Sequence, residues 1–133
     1  MKALKIFLVV FSFCGLLSGQ TKTIVISADT SLSPASEIGA AYMITRIVFP
    51  AAWDSSSYIS FQASKDGITF TDVFKQDSTE LVVKVIPGKS AIINPWEFYG
   101  LSNYIKIRSG TAAIPKQQTA NRTFSVELKR ISP

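Results

Sequence analysis

Carboxylates and aromatic rings are the residues of this chain that could do chemistry, because the commonest catalytic groups are missing. The 133-residue sequence contains no histidine, which removes the most frequent general base and the most frequent metal ligand. The only cysteine, Cys14, lies within an apolar N-terminal run, so the domain predicted after it has no thiolate for catalysis or zinc binding. No serine lies in a Gly-x-Ser-x-Gly elbow, and the sequence has no phosphate-binding loop. These absences argue against most enzyme classes.

Three carboxylates, Asp72, Asp77 and Glu80, flank one predicted loop and are the best candidates for a paired-acid or calcium site. The solvated ends of two strands explain the same spacing more simply. A glycosidase acid pair also needs a cleft, which a small domain without a long loop does not offer. We therefore predict no catalytic residue, no metal site and no cofactor, and we predict that the protein is not an enzyme.

Three aromatic residues could bind a ligand by stacking on a sugar ring. Trp96 and Tyr99 lie in a predicted helical turn at residues 95–100, which begins with proline and ends with glycine. Trp53 follows a proline in a predicted loop, where binding residues are frequent, and the neighbouring Asp54 could hydrogen-bond sugar hydroxyls. Tryptophan in a sandwich also often packs in the core. We predict Trp96 and Tyr99 as the first ligand site and Trp53 as the second.

The formal net charge of +5 does not predict a nucleic-acid partner. Binding to a nucleic acid usually requires a basic stripe with interleaved stacking aromatics. Here the basic residues are dispersed among acids and β-formers, and only Lys129 and Arg130 are adjacent. This dispersion is typical of solvated strand faces, so we predict no nucleic-acid binding.

Residues 1–20 have the layout of a secretory signal peptide or hydrophobic leader. Lys2 and Lys5 precede an apolar run from Ile6 to Leu17, and small residues follow the run. About a dozen apolar residues are too few for a membrane span, which needs roughly 20, so we predict no stable membrane span. A buried first strand or a misplaced start codon is the alternative explanation. The remaining residues, 21–133, form one predicted domain.

The segment from Tyr58 to Phe74 is the strongest structural signal in the chain. Ile59, Phe61 and Ala63 recur at every second position, which is typical of a half-buried strand. The turn predicted at residues 65–67 contains Asp-Gly, which suits a short hairpin. A second strand follows the turn and carries three further apolar residues, Ile68, Phe70 and Val73. This hairpin indicates an antiparallel β protein.

The rest of the chain is also predicted to form short strands separated by turns and loops. Six further strands are predicted, at residues 21–27, 41–49 (interrupted by Arg46), 81–86, 91–93, 103–109 and 122–131, with loops at 29–36 and 110–120. Frequent turns and the lack of a long amphipathic helix predict an all-β fold, an antiparallel β-sandwich that is jelly-roll-like and has about eight strands. The predicted core comprises Ile44, Ile59, Phe61, Phe70, Val83, Ile105, Ile107, Phe124 and Val126.

Four phrases occur in the sequence in a familiar order: Phe49-Pro-Ala-Ala-Trp53, Ile59-Ser-Phe-Gln-Ala-Ser-Lys-Asp-Gly67, Tyr104-Ile-Lys-Ile-Arg-Ser-Gly-Thr111 and Gln117-Gln-Thr-Ala-Asn-Arg-Thr123. With them the chain resembles a family of small β-sandwich, virion-associated proteins of tailed bacteriophages and prophages. More loosely, the Ser-x-Asp-Gly-x-x-Phe pattern from Ser64 to Phe70 is similar to a hairpin of discoidin-type sugar-binding sandwiches. Neither resemblance carries over a binding residue, because the shared phrases mark strands and turns.

The resemblance implies a non-enzymatic structural or accessory module of a phage virion, such as a capsid decoration, head fibre or tail-associated protein. Its expected partners are other virion proteins or copies of itself in a homo-oligomer, and a host-surface glycan is a further expected ligand. The alternative is a secreted, extracellular carbohydrate-binding or cell-surface adhesion module, which cleavage of the leader would favour.

Overall fold

The computed structural model describes residues 19–54, 56–98, 101 and 103–131, and this part of the chain forms nine strands and one short helix. The strands are β1 (Gly19–Ile26), β2 (Ser36–Glu37), β3 (Tyr42–Val48), β4 (Tyr58–Ser64), β5 (Thr71–Asp72), β6 (Val82–Lys84), β7 (Ser90–Ile92), β8 (Tyr104–Ser109) and β9 (Arg122–Arg130), and the helix is α1 (Pro95–Phe98). Of the predicted leader, only Gly19 and Gln20 are described. Both lie in β1, which begins two residues before the predicted first strand.

The strands form two antiparallel sheets that pack face to face. The first sheet has the order β1-β9-β3-β7 and the second has the order β2-β8-β4-β5. β5 pairs with Gln62 and Ala63 of β4, and β6 pairs with the other half of β4, from Tyr58 to Ser60. Because β8 occupies the opposite edge of β4, β5 and β6 are two halves of one interrupted edge strand.

Counted in this way, the described chain has eight strands that alternate between the sheets except at the β4–β5 hairpin. The first and last strands, β1 and β9, lie side by side. This is the strand order of a jelly roll. It confirms the predicted all-β, antiparallel sandwich of about eight strands.

The core lies between the two sheets and follows the period-two pattern of the sequence. Phe61 of β4 is paired with Ile107 of β8, and both side chains are fully buried. Phe124 of β9 is buried from the other sheet. Seven of the nine predicted core residues are buried, whereas Phe70 and Val83 are only half-buried. Alternation along the strands is therefore a sound guide to the core, except close to the edges of the second sheet.

A bulge in β3 lets two residues that are three positions apart share one face. The pairing register with β9 shifts between Ile44 and Arg46, so Thr45 is an extra residue in the strand. Regular alternation would turn Ile44 and Ile47 to opposite faces of the sheet. With the bulge, both isoleucines are buried and Arg46 is exposed. The interruption that Arg46 makes in the sequence pattern is thus absorbed without breaking the strand.

The predicted β4–β5 hairpin is present, but its loop is longer than the sequence pattern indicates. The loop spans residues 65–70 instead of 65–67, because β5 begins only at Thr71. Ile68 and Phe70 therefore lie in the loop and not in a strand. The side chain of Ile68 is 84% exposed, and Phe70, predicted in the core, is half-buried.

Side chains of the loop explain its length. The Asp66 carboxylate accepts hydrogen bonds from the backbone N–H groups of Ile68 (2.8 Å) and Thr69 (3.0 Å), so these amides do not enter a strand ladder. The Ser64 hydroxyl donates to the same carboxylate at 2.8 Å and accepts from the N–H of Gly67 at 2.9 Å. Gly67 has a φ of 79°, and a Cβ there would lie 3.2 Å from an aromatic ring, so only glycine fits without strain.

Helix α1 confirms the helical turn predicted to begin at Pro95. The Asn94 side chain accepts a hydrogen bond from the Trp96 N–H at 3.1 Å, which caps the first turn. Phe98 is buried, and its ring meets that of Phe61 edge-on with centroids 5.2 Å apart. One aromatic ring thus anchors α1 to the core. Among the described residues, no helix has the length and hydropathy that a membrane crossing needs.

We expect Phe61→Ala to lower the free energy of unfolding by about 3–5 kcal/mol, because it removes a fully buried ring that contacts Phe98. The matched control is Ile68→Ala, which removes an exposed side chain and should change stability by less than about 0.5 kcal/mol. Urea denaturation followed by tryptophan fluorescence measures both values. Equal losses in the two variants would contradict this placement of the core.

Candidate functional site

A buried glutamine joins two loops to the strands β8 and β9. Gln118 is fully buried. Its side-chain oxygen, Oε1, accepts a hydrogen bond from the Asp54 N–H at 3.0 Å. Its side-chain nitrogen, Nε2, donates to the Asp54 carbonyl at 3.2 Å and to the Ser109 hydroxyl at 2.8 Å. The guanidinium of Arg122 donates to the same Oε1 at 3.1 Å and to the Asp54 carboxylate at 3.0 Å. These bonds hold the loop that carries Asp54 against the start of β9.

The carboxylate of Asp54, the residue predicted to bond sugar hydroxyls, is hydrogen-bonded within the domain. Its other carboxylate oxygen accepts from the backbone N–H of Thr119 at 2.5 Å and from the Thr119 hydroxyl at 2.8 Å. The bonds from Thr119, and then those from Arg122, hold the pKa of Asp54 below its ordinary value. An ionised carboxylate with both oxygens bonded has little capacity left for a ligand.

A second charged network covers the outer face of the second sheet. Arg108 of β8 is buried, and its guanidinium donates to the Asp72 carboxylate at 2.5 Å and lies 3.7 Å from a carboxylate oxygen of Glu80. It also lies 3.4 Å from the hydroxyl of Ser60, its cross-strand neighbour on β4. The hydrogen bond from Arg108 is the main cause that lowers the pKa of Asp72. The network ties β5 and the segment before β6 to β8.

The three carboxylates considered for a calcium or paired-acid site are each bonded to other groups of the domain. The Arg108 guanidinium lies between Asp72 and Glu80, and Glu80 also accepts a backbone N–H at 2.7 Å. Asp77 accepts from the N–H of Thr79 at 2.9 Å and from its hydroxyl. In the part of the chain that the structure describes, no group of three His, Cys, Asp or Glu residues could hold a metal ion.

Trp53, the second predicted ligand residue, packs against the core. Its ring is half-buried and meets the ring of Phe124 edge-on, with centroids 5.4 Å apart. Its indole N–H donates to the carbonyl of Ser56 at 2.8 Å. Trp53 therefore contributes to packing and to the shape of its loop, and its polar atom is already bonded.

Trp96, the first predicted ligand residue, is exposed over 84% of its surface. The adjacent Glu97 forms an ion pair with Lys75 at 3.7 Å, which links α1 to the segment between β5 and β6. Ile92, four residues before Trp96, is 88% exposed. The third predicted residue, Tyr99, lies outside the described residues. The ring of Trp96 is thus available to a partner.

An open groove beside β5 is a candidate site that the sequence did not reveal. We term it the β5 groove; its volume is about 390 Å³, and it is lined by Ala63, Ser64, Lys65, Thr69, Thr71, Asp72, Val73 and Phe74. The ring of Phe74 is 54% exposed. The groove depends on the long hairpin loop, so a prediction with a short turn could not place these residues together. No sequence pattern indicates the groove, because Ser-x-Asp-Gly-x-x-Phe marks the loop but not its length.

Comparison with known proteins found no relative of this chain. No protein-family description matches the sequence, and no curated protein or solved structure matches it significantly. Function is therefore inferred from the fold, from the geometry of the exposed sites and from the sequence phrases.

Replacement of each tryptophan by alanine should distinguish a ring that packs in the fold from a ring that is exposed to a ligand. Trp53→Ala removes a half-buried ring packed on Phe124 and should lower the free energy of unfolding by about 2–3 kcal/mol, less than the loss for a fully buried ring. Trp96→Ala should change it by less than about 0.5 kcal/mol. Urea denaturation followed by circular dichroism tests this, and a large loss for Trp96→Ala would show that this ring has a structural role.

Stability should fall as the pH is lowered from about 4 towards 2. Hydrogen bonds from the backbone N–H groups of Thr69 and Ile68 lower the pKa of Asp66 from 3.8 to about 2 in the folded protein. A carboxyl group with a lowered folded pKa contributes stability above its unfolded pKa, and that contribution is lost as the pH falls through the folded pKa. Asp66→Asn should therefore be less stable at neutral pH and should lose less stability in this window. Urea denaturation at several pH values measures the difference, and identical pH profiles for the two proteins would contradict the role of Asp66.

Proposed function

We propose that this chain is a non-enzymatic structural or accessory module of a bacteriophage virion, which works by presenting surfaces to partner molecules. The jelly-roll strand order supports the proposal, because this architecture recurs in viral capsid and lectin domains. The four sequence phrases that resemble virion-associated proteins of tailed phages support it independently. The proposed location is the virion.

The proposal rests on one observation: the buried polar side chains bond to other groups of the domain. Arg108, Gln118 and Arg122 are buried, and each bonds to groups of the domain itself. The ionised Asp54 and Asp66 likewise bind backbone N–H groups of loops. A catalytic base or nucleophile needs a polar atom directed at a substrate position, whereas these groups hold loops to strands. The outer surface is what remains for function.

Exposed apolar side chains near β7 provide a contact surface for other virion proteins or for copies of the chain. Ile92 and Trp96 are the two largest exposures of this kind close to α1. β7 is the end strand of the first sheet, and its outer edge pairs with no strand in the described part of the chain. Burial of such side chains, above all tryptophan, supplies much of the binding energy of protein interfaces. We propose a homo-oligomer or a virion contact built through this surface.

A secreted carbohydrate-binding or cell-surface adhesion module is the second candidate. The observation that favours it is the β5 groove, which is lined by the polar residues Lys65, Thr69 and Thr71 and by the exposed Phe74. Both candidates are non-enzymatic and differ mainly in location. A chain cleaved near Thr21 belongs to a secreted protein, whereas an intact chain suits assembly of a particle in the cytoplasm.

Mass spectrometry of purified phage particles should find the chain with its N-terminal peptide beginning at Met1. Ile92→Ser and Trp96→Ala should each reduce incorporation at least about fivefold, because a central interface side chain contributes about 1 kcal/mol or more. The matched control is Ile114→Ser, which changes an exposed apolar residue in the loop after β8 and should leave incorporation unchanged. A chain that is cleaved near Thr21 and found only in the medium would refute the virion proposal.

A further inference from the structure

We infer that the β5 groove is a binding site for a neutral saccharide. The inference rests on the glycan-binding part of the proposed function, and it applies to a virion protein and to a secreted one alike. The groove volume of about 390 Å³ lies within the range of about 300–1,000 Å³ that is typical of small-molecule sites. Its walls combine an aromatic ring with hydroxyl, ammonium and carboxylate groups, which together match the apolar faces and polar rims of sugar rings.

Phe74 supplies the apolar wall of the groove. Its ring is 54% exposed, although its backbone is fixed by a bridge to Glu80. Ala63 and Val73, both half-buried, continue the apolar surface beside it. The C–H face of a pyranose ring would cover this ring and remove apolar surface from water, which is favourable. An exposed aromatic ring on an anchored backbone, beside half-buried apolar residues, is therefore suited to stacking on a sugar.

Lys65, Thr69 and Thr71 present polar atoms that the fold does not use. The hydrogen bonds of the hairpin loop engage the Ser64 hydroxyl, the Asp66 carboxylate and backbone groups. Within the described residues, none of these bonds reaches the Lys65 ammonium or the hydroxyls of Thr69 and Thr71. A hydroxyl both donates and accepts, and an ammonium donates three bonds. These three side chains can therefore bond several sugar hydroxyls at once.

Asp72 adds an acceptor to the groove and sets its charge preference. Arg108 and Gln62 both donate to Oδ1 of Asp72, and in the described part of the chain its Oδ2 receives no bond. One sugar hydroxyl can donate to this oxygen while another accepts from Lys65. An acidic sugar would bring its carboxylate close to the Asp72 carboxylate, which is unfavourable. The pairing of one cation with one anion therefore favours a neutral saccharide.

The groove has its shape before a ligand arrives. The Asn103 amide donates to the Lys65 carbonyl at 3.2 Å, and the Asp66 carboxylate fixes the loop backbone as described above. On the other side, the Lys75 N–H donates to the Thr79 carbonyl at 2.7 Å directly after Phe74. Ordering of loops on binding lowers affinity, so a loop that is already fixed favours recognition.

A glycan array probed with the purified full chain tests the inference, with NMR titrations of maltotriose and N-acetylchitotriose to quantify affinity. We expect binding to neutral glycans. Phe74→Ala should weaken it at least about fivefold, by analogy with loss of a stacked base, whereas Phe74→Tyr should retain it. Thr71→Val and Lys65→Met should each weaken it at least about twofold, because each removes a hydrogen bond. Circular dichroism confirms that each variant is folded.

Tyr58→Ala is the matched control, because it removes another exposed aromatic ring, which lies outside the groove and outside the proposed contact surface. Asp72 is left unchanged in these tests, because its replacement would also release Arg108. The inference is overturned if no neutral glycan binds, if only acidic glycans bind, or if Tyr58→Ala weakens binding and Phe74→Ala does not. None of these results bears on incorporation into particles, which mass spectrometry measures separately, so the two proposals fail independently.

Discussion

Burial of one face of each sheet against the other is the constraint on which the rest of the structure depends. Ile44 and Ile47 in the first sheet and Ile59 and Phe61 in the second are completely buried, and a shift of one residue in any of these strands would turn its apolar side chains to solvent. The bulge in β3 preserves this arrangement where the sequence departs from alternation. Helix α1 takes its position from the same core, because it is anchored by a ring that packs on Phe61.

The polar groups that this packing buries determine how the loops are held to the strands. A buried polar group without a partner destabilises the fold by about 1–3 kcal/mol, and among the described residues no buried side-chain nitrogen or oxygen lacks a partner. Gln118 satisfies this requirement by bonding to the loop at Asp54, and Arg108 by pairing with Asp72 and Glu80. The same requirement divides the side chains into two classes. Those inside the networks stabilise the fold, whereas the side chains of Lys65, Thr69 and Trp96 are exposed and make no side-chain hydrogen bond within the described residues.

The sequence predicted those strands in which apolar and polar residues alternate over several positions. β4, β8 and β9 are of this kind, and every core residue predicted in them is buried. β2 was not predicted, and Ser36 was placed in a loop, because two residues carry no period and the strand is defined only by its pairing with Tyr104 and Ile105. The hairpin loop was predicted too short, because the side chain of Asp66, rather than a strand partner, takes the amides after the turn. The β5 groove follows from that loop and was therefore invisible to pattern alone.

The two candidate surfaces lie on the same side of the sandwich, and this affects how the protein could act. β7 ends the first sheet and β5 ends the second, and the ion pair between Lys75 and Glu97 joins the segment after β5 to α1. A copy of the chain that docks at Ile92 and Trp96 would therefore hold its own groove at a fixed distance from the first. A single open groove binds a glycan weakly, but two grooves at a fixed spacing make the second contact intramolecular and raise the overall affinity strongly. The proposed self-association at the β7 edge and the proposed saccharide binding beside β5 would therefore support each other, above all in an assembly that displays many copies.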